Sequence, residues 1–138
     1  MVKRITEVPG SDTVFEMGVV TNTAKARAKL AGVGPKTIKK YGVYSEETAR
    51  EMAEGIRRIS GADIGIAVTG RTGLESDAEG KELGMTYIAV DSEAYRHVTK
   101  VDLAGNRSAQ SEFVRYVASS SALWNGLKAA QKSGKENL

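Results

Sequence analysis

Some segments of the chain have apolar residues every three to four positions, as in helices, and others have alternating or continuous apolar residues, as in strands. This pattern predicts strands interleaved with helices. The predicted strands cover 14–22, 64–68, 85–90 and 98–103, and the second and third are almost unbroken apolar runs, as in strands covered on both faces. The predicted helices cover 24–31, 35–40, 46–60 and 108–130. Strands that alternate with helices and end in two adjacent strands predict an α/β fold, a three-layer α/β/α domain with a mixed sheet.

The clearest helix prediction is the one over 46–60. Ser45 provides an N-cap, Glu46 and Glu47 suit the first turn, and Gly61 is a typical helix stop. The predicted inner stripe of this helix is Ala49, Met52, Ala53, Ile56 and Ile59. The predicted inner stripe of the last helix includes Phe113, Val117, Ala118, Ser121 and Leu127.

Length and composition predict a small cytoplasmic protein. The 138 residues suffice for one domain with its own core, which we place at 1–131 with a polar tail over 132–138. The chain has no cysteine, so it has no disulfide, thiol nucleophile or cysteine-bound metal cluster. No apolar run approaches bilayer length, and the first residues lack the apolar stretch of a signal peptide.

Positive charge is concentrated in one segment, although the net charge is only +3. Between Thr21 and Lys40 there are no acids, and the basic residues are Lys25, Arg27, Lys29, Lys36, Lys39 and Lys40. Such a segment either attracts the phosphates of a nucleotide or nucleic acid, or forms a solvated helix face. The absence of interleaved aromatic residues argues against nucleic acid.

Several motifs resemble one known family. They are Val8-Pro9-Gly10-Ser11, Met17-Gly18-Val19-Val20-Thr21, the run from Tyr41 to Gly55, the run from Gly61 to Gly70, the run from Gly84 to Val90, and Gly105-Asn106-Arg107. In these motifs the chain resembles the nicotinamide-nucleotide amidase family, the C-terminal domain of competence/damage-inducible (CinA) proteins. The resemblance implies a CinA C-terminal-domain fold, homo-oligomers, no metal or other cofactor, and hydrolysis of the carboxamide of nicotinamide mononucleotide.

Three departures from the family pattern fall on the implied chemistry. The Ala-Glu-Ser-Cys-Thr-Gly-Gly motif, which carries the implied nucleophilic serine, has no counterpart in a chain that begins Met1-Val2-Lys3-Arg4. The lysine that would act as base aligns with Arg27, and arginine stays protonated in proteins. The family's glycine-rich loop, Gly-Ile-Ala-Gly-Pro-Gly-Gly, corresponds here to the sequence from Gly70 to Asp77, which has two acids and a leucine. We therefore predict no catalytic residue among those present.

The residues that remain are candidates for binding a ligand. They are Thr21, Arg27, Thr69, Gly70, Gly73 and Arg107. Each has a plainer alternative: Arg27 is either a phosphate ligand or a surface residue, Thr69 a ligand contact or a local cap. Arg107 is either a phosphate ligand or a residue at the start of the last helix that pairs with Asp102. His97, the single histidine, is predicted to be an ordinary surface residue, since one histidine is no metal site.

Three functions are consistent with these features. We favour a catalytically silent relative of the amidases that binds a pyridine or related mononucleotide. The first alternative is an active nicotinamide-nucleotide amidase in a longer or complemented form. The second is a non-catalytic oligomerising module, because loss of a leading strand and helix would expose a sheet edge.

Overall fold

The computed structural model of the chain describes residues 1–70, 85–102 and 111–136. The helices are α1 (Val2–Thr6), α2 (Ala24–Ala31), α3 (Pro35–Tyr41), α4 (Glu46–Ser60) and α5 (Ser111–Glu136), and a short 3-10 turn covers Ser11–Thr13. The strands are β1 (Ile64–Gly70), β2 (Met85–Ser92) and β3 (Arg96–Asp102).

The three strands form one sheet in the order β1-β2-β3. Both neighbouring pairs are antiparallel, with Ala67 opposite Ala89 and Ala89 opposite Val98. The central strand β2 is buried along nearly its whole length, whereas β3 is partly exposed. The apolar runs thus predicted correctly which strands are covered on both faces.

Helices cover both faces of the sheet. A Cβ on Gly65 would lie 2.9 Å from the Cβ of Arg57 in α4, so this position faces α4. A Cβ on Gly126 of α5 would lie 2.6 Å from Cδ1 of Ile66. Because adjacent residues of a strand point to opposite faces, α4 and α5 lie on opposite sides of the sheet. The three-layer α/β/α prediction is confirmed.

The predicted strand over 14–22 is wrong, and the sheet that the described strands form is antiparallel rather than mixed. Residues 15–22 have no regular secondary structure, and Val14 and Val20 are 76% and 86% exposed. All strand pairs among the described residues are antiparallel. β-branched composition favours a strand only where a neighbouring strand accepts its hydrogen bonds. In the structure this segment has no such neighbour within the described residues.

Helix α4 follows the predicted bounds. Ser45 accepts a 3.1 Å hydrogen bond from the backbone N–H of Thr48, and Gly61 ends the helix with a φ of 74°. The inner stripe is correct at Ala49 and Ala53, which are fully buried, but wrong at Ile59, which is 49% exposed. The stripe turns away from the sheet before the last turn of the helix.

Helix α5 is described from Ser111 and ends later than predicted, at Glu136. Its buried positions are Val114, Ala118, Ser119, Ala122, Asn125 and Ala129. The prediction of an inner Leu127 is wrong, because this side chain is 46% exposed. No helix in the described ranges combines the length and apolar character that a membrane span requires.

Candidate functional site

Helix α2 carries the residue that aligns with the implied base. Thr23 caps the helix by accepting a hydrogen bond from the N–H of Ala26, and Gly32 ends it with a φ of 68°. Its C-terminal end lies against α4, where a Cβ on Gly55 would come 2.7 Å from the carbonyl carbon of Ala31. Because the two backbones approach so closely, one side of α2 is buried against α4.

Arg27 lies on that inner side. It is only 6% exposed, so the prediction of a surface residue is wrong. Lys25 and Lys29, its neighbours on α2, are exposed. The sequence of alanine-rich α2 has little amphipathic pattern, so it does not indicate which side of the helix is buried. Arg27 is buried because its side of α2 contacts α4.

The guanidinium of Arg27 has an aromatic neighbour and no described acid. Its Cζ atom lies 5.7 Å from the centre of the Tyr44 ring, a distance at which cation–π attraction operates. The Nε atom is enclosed and has no hydrogen-bond partner. Among the described residues, no carboxylate forms an ion pair with Arg27. The site therefore holds a buried positive charge that forms no ion pair with a described residue.

Thr69 is joined to the same region through the loop that precedes α4. The hydroxyl of Thr69, which is 1% exposed, donates a 2.7 Å hydrogen bond to the carbonyl oxygen of Val43. Val43 directly precedes Tyr44, so the end of β1, the loop and Arg27 form one connected set. Thr69 is thus not a local cap, because its hydroxyl donates to the distant loop before α4.

The loop itself is held by the start of α4. The hydroxyls of Ser45 and Thr48 both donate to the carbonyl oxygen of Gly42, at 3.2 and 2.6 Å. Sequence analysis missed Tyr44 as part of the site. The available signal was its place immediately before the N-cap Ser45, in the motif that carries the family resemblance.

The other candidates are distributed differently. Gly70 pairs with Thr86 across β1 and β2, and an added Cβ would meet the Thr86 hydroxyl at 2.6 Å, so glycine permits this close strand pairing. Thr21 is half-buried in the segment before α2. Gly73 and Arg107 lie outside the described residues. His97 is exposed on β3, as predicted.

A separate cavity of about 370 Å³ lies between α4 and β3. It is lined by Glu46, Arg50, Val90, Asp91, Arg96, His97 and Val98. Its charges already have partners, since Arg50 pairs with Glu46 and Asp91 pairs with Arg96. We regard Arg27 as the better candidate because its buried charge has no ion-pair partner among the described residues. No group of three or more possible metal ligands occurs in the part of the chain that the structure describes.

Comparison with known proteins identifies the family. The sequence profile of the CinA C-terminal domain matches residues 1–123. The chain belongs to this family. A competence-damage inducible protein of Acetivibrio thermocellus is 43% identical over 105 residues, which are 76% of this chain and 25% of that protein. A competence-damage inducible protein of Moorella thermoacetica is 35% identical over 129 residues, which are 91% of this chain and 30% of that protein.

The solved structures of the family agree with the fold. A competence/damage inducible protein from Agrobacterium tumefaciens matches with a TM-score of 0.85 and 28% identity, over 94% of this chain and 77% of that one. A CinA superfamily protein from Escherichia coli matches with a TM-score of 0.83 and 26% identity, over 91% of this chain and 71% of that one. The chain spans only 25% to 30% of the length of the two curated relatives above.

Proposed function

We propose that this CinA C-terminal domain binds a pyridine or related mononucleotide at Arg27 and does not hydrolyse its amide. The observation that carries the proposal is the arginine at the position of the family's implied base, buried beside Tyr44 without a described acid. The proposal has two parts, loss of proton transfer and retention of binding, and each has its own physical support.

Loss of proton transfer follows from the chemistry of arginine. An amidase that acts through a hydroxyl nucleophile needs a neighbouring group that accepts the hydroxyl proton. Lysine performs this task when burial favours its neutral form, whereas the guanidinium remains charged and has no acceptor atom. Arg27 therefore cannot replace the lysine as base, although it occupies the same position in the sequence.

Retention of binding follows from the unpaired charge. Removing a cation from water is costly unless an anion or hydrogen bonds compensate it. Stacking on Tyr44 compensates only part of that cost, since cation–π attraction contributes about 0.5–2 kcal/mol. An anionic group of a bound nucleotide would complete the compensation. Exposed Lys25 and Lys29 add positive potential around α2.

Calorimetric titration tests the binding part. We expect nicotinate mononucleotide, nicotinamide mononucleotide or both to bind the purified chain, and Arg27→Gln to weaken the tighter-bound of the two by at least about tenfold. Arg50→Gln is the matched control, because it removes an arginine that is exposed and already paired with Glu46. Absence of heat with either nucleotide, together with no thermal shift, would reject the proposal.

Ammonia release from nicotinamide mononucleotide tests the catalytic part, and also the alternative of an active amidase. We expect no release above background from the purified chain. Release that Arg27→Gln abolishes would contradict the silent domain. A longer or complemented form that releases ammonia, while this chain does not, would support the alternative instead.

Self-association is a second candidate function, favoured by a specific set of exposed apolar side chains. Val14, Val20, Tyr116 and Trp124 are each at least 59% exposed. Exposed apolar surface commonly marks a contact with another protein where it is contiguous. Sedimentation analysis at micromolar concentration tests this candidate, and a strict monomer would remove it.

A further inference from the structure

We propose that Arg27 makes this site select a planar carboxylate, so that a pyridine mononucleotide binds in its acid form in preference to its carboxamide form. The inference depends on the mononucleotide-binding function proposed above. It names the chemical group of the ligand that the guanidinium recognises.

The first argument is charge balance. Arg27 brings a single enclosed positive charge, and no described acid balances it. A carboxylate carries one negative charge and would neutralise it one to one. A carboxamide is neutral and would leave the charge uncompensated in a desolvated place, which is unfavourable.

The second argument is hydrogen-bonding capacity. A guanidinium has five N–H donors and no acceptor. A carboxylate offers two acceptor oxygens, whereas a carboxamide offers one acceptor and an NH2 group that also donates. A carboxamide that faces Arg27 would therefore place its NH2 group against an N–H donor of the guanidinium, and these two donors cannot form a hydrogen bond with each other.

The third argument is geometry. The Tyr44 ring lies over the guanidinium, so a ligand that pairs with Arg27 does so along the edge of its plane. The enclosed Nε has no hydrogen-bond partner, and together with the adjacent terminal N–H it forms a bidentate edge that matches a carboxylate.

A phosphate fits the enclosed position less well. At neutral pH a phosphate monoester carries about 1.5 to 2 negative charges, more than one guanidinium balances. The exposed Lys25 and Lys29 are better placed to attract it at the surface of α2. We therefore assign the carboxylate of the ligand, rather than its phosphate, to Arg27.

The experiment compares two ligands in the unsubstituted chain and in its arginine variants. Nicotinate mononucleotide and nicotinamide mononucleotide have the same ribose and phosphate, and differ only in carboxylate against carboxamide. Each is titrated calorimetrically into the unsubstituted chain, Arg27→Gln and Arg50→Gln. We expect the unsubstituted chain and Arg50→Gln to bind the acid form roughly 10- to 100-fold more tightly than the amide, the strength of one charge-assisted pair.

Arg27→Gln should lose this preference. Affinity for the acid form should fall by about 10- to 100-fold, and affinity for the amide form should change by less than about threefold. Arg27→Lys should keep part of the preference, because it retains the charge but not the planar pair of donors. A variant that fails to fold would lose both ligands together, so circular dichroism and the ratio of the two affinities separate misfolding from lost selectivity.

Two results would overturn the inference. If both nucleotides bind equally and Arg27→Gln weakens both equally, Arg27 recognises the shared phosphate, and the proposed function stands without the preference. If neither nucleotide binds the unsubstituted chain, the proposed function fails as well.

Discussion

The hydroxyl of Thr69 donates to the carbonyl oxygen of Val43 at 2.7 Å, and this bond ties the end of β1 to the loop before α4. The next residue of the loop, Tyr44, lies against the guanidinium of Arg27. The sheet therefore fixes the aromatic side of the candidate site through one hydrogen bond. Because Thr69 is 1% exposed, water cannot easily replace that bond.

Thr69→Val tests this connection. Valine keeps the shape of threonine but removes the donor, which leaves the Val43 carbonyl without its hydrogen bond. We expect the free energy of unfolding to fall by about 1–3 kcal/mol, measured by urea denaturation. Mononucleotide affinity should fall less than in Arg27→Gln, because the charge remains in place.

Thr69→Ser is the matched control, since it retains the hydroxyl. It should preserve nucleotide affinity even if loss of the methyl group costs about 1 kcal/mol of stability. Equal stability of Thr69→Val and the unsubstituted chain would show that the hydrogen bond contributes nothing measurable.

Helix bounds could be predicted where the signals are local. Thr23 and Ser45 cap α2 and α4 through side-chain oxygens, and Gly32 and Gly61 end them in left-handed conformations. Each of these signals acts within one turn of the helix, so the sequence alone contains it. The buried strands β1 and β2 could be predicted for a similar reason, from their uninterrupted apolar runs.

Features that depend on distant partners could not be predicted in the same way. Whether residues 14–22 form a strand depends on a neighbouring strand, which local β propensity does not provide. Burial of Arg27 depends on the approach of α2 to Gly55, far along the chain. The sequence identified Arg27 as a departure from the family, but only the packing of α2 revealed that its charge is buried.

Gly55→Ala should disturb the site through the backbone contact that buries Arg27. The new Cβ would lie 2.7 Å from the carbonyl carbon of Ala31, so α2 or α4 must shift. Alanine gains up to about 1 kcal/mol in helix propensity, whereas overpacking against backbone costs roughly 1–3 kcal/mol. We expect net destabilisation by chemical denaturation and weaker nucleotide binding.

Gly134→Ala is the matched control for this substitution. Gly134 is also within a helix, α5, but a Cβ added at this position would meet no atom within 4 Å. Only the propensity gain applies there, so the variant should be unchanged or up to about 1 kcal/mol more stable. If Gly55→Ala behaves like Gly134→Ala, the contact between α2 and α4 is looser than the structure indicates.

Asp91 should contribute to stability through two arginines. Its side chain is 7% exposed and accepts from Arg57 at 3.0 Å and from Arg96 at 2.8 Å. Asp91→Asn removes the negative charge from both pairs, and we expect a loss of roughly 1–3 kcal/mol in the free energy of unfolding.

The two arginines should differ in importance. Arg57 is 26% exposed and Arg96 is 63% exposed, so solvent screens the second pair more. Arg96→Gln should therefore cost less than about 1 kcal/mol, and Arg57→Gln should cost more. A double-mutant cycle that combines each with Asp91→Asn measures the two couplings, and a larger coupling for Arg96 would contradict this order.

Arg4 should hold the N-terminal helix on α5. It donates to the hydroxyls of Ser119 and Ser120 at 2.9 and 2.8 Å, and lies 4.9 Å from the centre of the Tyr116 ring. Helix α1 has only five residues and buries none of them, so little else anchors it. Arg4→Met should leave the global free energy of unfolding within about 1 kcal/mol but speed hydrogen exchange in 1–13. Lys3→Met is the matched control, because the one described ion pair of Lys3 is with exposed Glu7, and this substitution should change neither measurement. Unchanged exchange in Arg4→Met would mean that contacts other than this arginine hold α1 in place.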